Sequence, residues 1–250
     1  MFCKHLNRKY SFVFLVFVIV LTSFLSSCQT DLSQRSEVVK PVKVLVITGG
    51  HGFKRDSFFP IFDSFENTRQ EHAYFDDISG FDHDVIVFYN FKNKLSDKGQ
   101  ANLLKLCEKG IGIVVLHHAV SAFNEWAVWP EIAGSQYFLK AAEVDGKVFK
   151  RSTYKHDVDM KVTIAKKDHP VTRGLEDFEI HDETYKGCHF QDDNNVLLTT
   201  DHPTSDKAIG WTRQFRKSKV CFIQLGHGPE AYANENYRKL VSQAIRWTVE

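Results

Sequence analysis

Twelve histidines are spread over 250 residues, and four of them stand directly behind short apolar runs. His51 follows Val44-Leu45-Val46-Ile47-Thr48 through Gly49-Gly50, His117 and His118 follow Gly112-Ile113-Val114-Val115-Leu116, and His227 follows Val220-Cys221-Phe222-Ile223-Gln224-Leu225 and Gly226. Imidazole nitrogen and carboxylate oxygen together hold zinc and similar ions, and the polar cluster His181-Asp182-Glu183-Thr184-Tyr185 supplies carboxylates. We therefore expect His51, His118 and His227 to bind a divalent metal, zinc first, or the substrate directly. Glu183 is the candidate general acid or base, with His118 and Asp182 as further catalytic candidates. For any one histidine, a hydrogen bond at the sheet edge is the competing reading, because the spacing lacks the regularity of an HExxH helix.

Other chemistries find less support. A nucleophilic hydrolase would place Ser or Cys on the turn after a central strand; here that turn carries His117, His118 and Ala119, and nearby Ser121 has no GxSxG around it. Gly49-Gly50-His51-Gly52 is neither GxGxxG nor a Walker sequence, so its glycines are read as a sharp turn. Trp126, Trp129, Tyr185 and Tyr232 flank the histidines and offer flat faces for sugar rings, although each alone fits a packing role. Asp168-His169-Pro170 and Asp201-His202-Pro203 mark turns, of which the first can still reach the site.

What must position these residues is a sheet. The run at 112–116 is short, β-branched and bounded by polar residues, as expected of a strand buried on both faces. Strands at 43–48 and 84–89 precede it, and 219–225 forms a hairpin with 208–212 across a turn at 213–218. Helices are expected at 55–68, where Phe58, Phe59, Phe62 and Phe65 recur at helical spacing, at 96–109 between Ser96 as cap and Gly110, and at 234–249. Residues 137–206 alternate instead, and read as shorter strands and loops inserted into or extending the sheet. The expected fold is α/β: a flavodoxin-like, doubly wound, mostly parallel sheet with helices on both faces and an inserted β/loop region. In such sheets ligands bind beyond the carboxyl ends of the strands, which is where the histidines fall.

Composition sets the outer limits. A chain 43% hydrophobic and 25% charged is globular, and a net charge of +1 argues against a general nucleic-acid surface. Lys4, His5, Arg8 and Lys9 precede an uncharged run ending Leu25-Ser26-Ser27-Cys28. That is the pattern of a bacterial lipoprotein leader over 1–28, with Cys28 as the lipidated residue and a transmembrane anchor as the alternative. Residues 29–41 read as a flexible tether and 42–250 as the domain, held outside the cytoplasm on the periplasmic or cell-surface side of a membrane. Cys107, Cys188 and Cys221 have no metal-like spacing and are read as core residues, while a disulfide between two of them cannot be paired from sequence.

Taken together, several motifs resemble the trehalose-utilisation, or ThuA-like, family. They are Gly49-Gly50-His51, Leu116-His117-His118-Ala119 with Trp129-Pro130-Glu131, His169-Pro170-Val171-Thr172-Arg173-Gly174-Leu175, Asp182-Glu183-Thr184-Tyr185 and Leu225-Gly226-His227, in family order over about 42–249. The resemblance implies a fold related to class I glutamine amidotransferases without their catalytic cysteine, whose turn His117-His118 occupies. It also implies a link to trehalose and other disaccharides, through 3-keto-sugar intermediates. On this reading His51, His117, Trp129, Tyr185 and His169 contact a small carbohydrate, and the chain is a sugar hydrolase, lyase or isomerase. A non-catalytic carbohydrate-binding lipoprotein is the alternative, and homo-oligomerisation stays open.

Overall fold

The computed structural model describes residues 41–250. The leader at 1–28 with Cys28, and all of the 29–41 tether except Pro41, lie outside the described residues. Strands β1 (Lys43–Gly49), β2 (Glu66–Glu71), β3 (Val85–Asn90) and β4 (Gly112–Leu116) are followed by the short β5 (Ser135–Gln136), β6 (Ala142–Val144) and β7 (Lys147–Phe149). Then come β8 (Thr153–Ile164), β9 (Phe178–Lys186), the short β10 (His189–Phe190), β11 (Asn195–Thr199), β12 (Ala208–Phe215) and β13 (Ser218–Ile223). Helices are α1 (Arg55–Phe58), α2 (Asp97–Lys109), α3 (Trp129–Ala133), α4 (Pro229–Ala233) and α5 (Glu235–Val249).

Nine strands form one mixed sheet in the order β2-β1-β3-β4-β13-β12-β11-β8-β9. The first five are parallel, in the 2-1-3-4-5 arrangement of flavodoxin-like folds. From β13 outward the pairings become antiparallel, and the alternating 137–206 region supplies β8, β9 and β11 of that half.

The continuous apolar runs follow from burial on two faces. In β4, Val114 and Leu116 enter one core with Tyr237, Leu240, Val241, Ala244 and Ile245 of α5, whereas Ile113 and Val115 enter the other with Leu103, Leu106 and Cys107 of α2. Every side chain of the strand is withdrawn from water, so no alternation is required. Both long helices begin and end on their expected signals. Ser96 Oγ accepts from Gly99 N at 2.9 Å and Gly110 takes the left-handed conformation after α2, while Asn234 Oδ1 accepts from Asn236 N and Tyr237 N before α5.

The helix expected over 55–68 is corrected. Four residues of α1 pass into a 3₁₀ turn at Phe59–Phe62, and the chain becomes β2 at Glu66. Pro60 lacks the N–H and carries the ring that an uninterrupted helix cannot hold there. The phenylalanines are still buried. The polar sequence Glu-Asn-Thr-Arg-Gln-Glu disguised β2, an exposed edge strand whose charges discourage further pairing. Among the described residues no helix is long and apolar enough to cross a membrane.

Candidate active site

Four parallel strands deliver the residues of the candidate site to one sheet end: His51 after β1, Phe91 and Lys92 after β3, His117 and His118 after β4, and His227 after β13. The turns that carry them are tightly specified. Gly50 has φ +73°, and a Cβ there would lie 1.8 Å from the Phe91 carbonyl oxygen. Gly226 has φ +114°, and its Cβ would meet the Tyr237 hydroxyl at 2.3 Å. His117 itself has φ +52°, a conformation that is uncommon outside glycine and is tolerated where surrounding structure enforces it.

His117 is fully buried, and its Nδ1 lies 2.7 Å from the Gln224 carbonyl oxygen. A carbonyl only accepts, so Nδ1 carries a proton and Nε2 faces inward. Around that single nitrogen stand Tyr185 Oη at 2.9 Å, His227 Nδ1 at 3.1 Å and Glu183 Oε1 at 3.5 Å. Glu183 Oε2 is also 3.6 Å from His227 Nδ1 and 2.5 Å from His156 Nδ1. His117, Glu183 and His227 thus offer three donor atoms close enough to share one cation. Two ligands about 2.0–2.1 Å from a tetrahedral zinc lie about 3.3–3.4 Å apart, close to the 3.1 Å between the two imidazole nitrogens and the 3.5 Å from His117 to Glu183 Oε1. Histidines that bind metals are commonly oriented by a bond from the other ring nitrogen to a carbonyl, and His117 Nδ1 makes such a bond.

Charge is distributed consistently with this. Burial opposes ionisation of Glu183, but the hydrogen bond and charge of His117 outweigh it and draw the carboxyl down to about 2. Burial likewise disfavours an imidazolium at His117, yet Glu183 and Asp182 raise its pKa. Burial, with His117 next to it, lowers His227 to about 4, and His118 falls well below the ordinary histidine range for the same reasons. These directions favour an ionised Glu183 held against His117, with His227 and His118 made weaker bases than ordinary histidines.

The donor atoms that the structure brings nearest one another differ from the set read from sequence. His118 Nε2 lies 3.3 Å from the Tyr89 carbonyl oxygen, and it is His117 and Glu183 that join His227. His51 is exposed at the mouth, with its ring 4.7 Å from that of His118 and 6.1 Å from that of His227. Asp182 is buried and accepts from three backbone groups: Glu183 N at 2.9 Å, Gly226 N at 2.7 Å and His227 N at 2.8 Å. It holds the β13 turn against β9 and is a positioning residue rather than a proton donor to substrate. The opposite side of that turn is tied by Tyr89 Oη to Gly226 O at 2.7 Å and by Tyr232 Oη to His227 O at 3.0 Å.

Trp129 is also corrected. Its indole is fully buried edge-on to Phe88 and Phe123, and Nε1 donates to Ala119 O and Val120 O, so it props the turn and leaves no face for a sugar. Trp126 and Tyr232 are core residues too. His169 lies outside the cleft with its ring 5.3 Å from Trp247. Tyr185 does line the cleft, beside His117. His156 escaped sequence reasoning because a bulge between Lys155 and Val158, with Asp157 at φ +53°, aims it at Glu183. Nothing in residue spacing announces such a bulge.

None of Cys107, Cys188 and Cys221 lines this cleft. All three are free thiols pushed up in pKa by burial, Cys107 to about 11. The sheet order is that of a flavodoxin-like α/β protein, and the end of its central strand carries His117 in the left-handed conformation, with no cysteine in the cleft among the described residues. The chain belongs to the ThuA family, described as trehalose utilisation, which it matches over residues 43–248.

Solved structures agree on the fold. A ThuA-like protein of Parabacteroides merdae superposes with a TM-score of 0.68 at 20% identity, covering 84% of this chain and 90% of that one. A ThuA-like protein of Bacteroides uniformis gives 0.61 at 19% identity, covering 83% and 91%. PurLQS of Thermotoga maritima gives 0.54 at 15% identity, covering 83% and 99%. A comparison with curated protein sequences returned no match.

Proposed function

We propose that this protein is a metal-assisted enzyme acting on a glycoside or keto-sugar, with His117 Nε2, His227 Nδ1 and Glu183 holding a divalent cation. The observation that carries the reading is that His117 Nε2 lies 3.1 Å from His227 Nδ1 and 3.5 Å from Glu183 Oε1, that Glu183 Oε2 lies 3.6 Å from His227 Nδ1, and that the Gln224 carbonyl holds His117 from behind. Two imidazoles and one carboxylate form a catalytic zinc set that leaves a position open to substrate or water. A cation there would polarise a sugar carbonyl or a bound water, as hydrolysis, elimination or isomerisation requires. Glu183, ionised and bonded to His156, has the charge that a cation ligand needs. His118, neutral and facing the cleft, accepts a substrate hydroxyl. Family membership supports the carbohydrate, and the leader pattern ending at Cys28 supports a lipid-anchored location outside the cytoplasm.

The test is product formation. Purified protein, zinc-loaded or chelator-treated, is incubated with neutral and acidic disaccharides and their 3-keto derivatives and followed by carbohydrate NMR. New sugar signals are expected only with metal. Saturable binding with every sugar returned unchanged would contradict an enzyme and favour a capture protein.

A further inference from the structure

The cleft beside the histidines encloses about 200 Å³. That is below the roughly 300–1,000 Å³ of sites for drug-sized ligands, and suits one sugar ring better than two. Its walls are chemically uneven. Two buried polar atoms on the turn His117–Ser121 after β4 have no partner: Ser121 Oγ and His118 Nδ1. Ser121 is 1% and His118 5% exposed, and both line the cleft. Buried polar atoms are normally paired, so two orphans on one short turn point to a ligand that completes them. Their roles are constrained. His118 Nε2 faces the Tyr89 carbonyl and must be the protonated nitrogen, which leaves Nδ1 an acceptor. Ser121 can donate. A group that both donates and accepts, such as a sugar hydroxyl, satisfies the pair.

The rim adds a second, independent feature. Lys92 and Arg151 both line the cleft, and among the described residues neither has a carboxylate within ion-pair distance. Lys92 is unusual in its backbone as well, with φ +51° and its N–H bonded to Ser121 O at 3.0 Å, so it is fixed next to the orphaned serine. Its ammonium lies 4.6 Å from the centre of the Phe91 ring, another cleft residue. Among the described residues Glu183 is the one carboxylate lining the cleft, and it is occupied by His117 and His156. On a chain of net charge +1 this is a locally positive opening.

We propose that the cleft takes a single sugar ring bearing an anionic group, a sugar acid, with one hydroxyl between Ser121 Oγ and His118 Nδ1 and the acid group facing Lys92 and Arg151. The inference rests on the carbohydrate reading above and narrows it from neutral sugars to anionic ones. Charge-assisted contacts to an ammonium and a guanidinium select for the anion, and the hydroxyl pair selects for the ring.

Calorimetric titration of the metal-free protein, under chelator so that the acid cannot bind a cation instead, tests this with D-glucuronate, D-glucose 6-phosphate, D-glucose, trehalose and acetate. Glucuronate is expected to bind at least about tenfold more tightly than glucose, the worth of one or two charge-assisted contacts. The preference should shrink with added salt. In a Lys92→Gln/Arg151→Gln double variant it should fall to within about twofold, whereas Ser121→Ala should weaken both sugars alike. Tighter binding of glucose 6-phosphate than glucuronate would uphold the anion subsite and assign it phosphate. Equal binding of glucose and glucuronate would overturn the inference while leaving the carbohydrate reading intact, as would acetate binding as tightly as glucuronate. Failure of every sugar to bind both here and in a parallel titration of the zinc-loaded protein would overturn both.

Discussion

Alanine at His117 is expected to weaken zinc binding by at least about a hundredfold, because it removes a ligand and the carbonyl contact that orients it. The wild-type affinity should also depend on pH with a definite slope. Metal competes with protons for its ligands. Glu183 is drawn down to about 2 and His227 to about 4, so both are deprotonated at pH 5 and above, whereas the pKa of His117 is raised. Below that raised value zinc must displace one proton from His117. Affinity should therefore rise about tenfold per pH unit through the mildly acidic range and level off above the pKa of His117. Competition with a zinc-sensitive dye across pH 5 to 8 measures both effects, and a slope near zero in the wild-type protein would remove His117 from the ligand set.

The second large effect is on stability. Asp182→Ala is expected to destabilise the fold by about 3–5 kcal/mol, since three backbone N–H groups lose their acceptor at about 1–3 kcal/mol each, less what water recovers. At about 2–4 °C per kcal/mol for a domain of this size, the melting temperature should fall by roughly 10 °C. The groups left behind belong to Glu183, Gly226 and His227, so zinc affinity should drop as well although Asp182 is not a ligand. Thermal melts and the dye assay on one sample separate the roles. A variant with wild-type stability that had lost only activity would return Asp182 to catalysis.

The parallel half of the fold was open to sequence reasoning because its signals are local. A two-sided strand needs an unbroken apolar run, as in β4, and Ser96, Gly110 and Asn234 cap helices through contacts within a few residues. The arrival of His51, His117, His118 and His227 at one edge followed from strand direction alone. Within that edge, the choice between His117 and His118 did not. Adjacent residues at a strand end would face opposite ways, but the left-handed turn at His117 directs its ring to Glu183 and sends His118 to Tyr89. Orientation there is a tertiary property, as are the bulge that recruits His156 and the inward rotation of Trp129. Strand β2 was hidden for the opposite reason: an edge strand needs no apolar pattern.

The claim on which the account turns is that His117, His227 and Glu183 share one cation. Anomalous diffraction at the zinc edge from crystals of the protein grown with zinc addresses it directly. The account predicts one strong peak about 2.0–2.2 Å from His117 Nε2, His227 Nδ1 and a Glu183 carboxylate oxygen. A peak on His51 and His118 instead, or no peak at the end of β4 with zinc in excess, would contradict it.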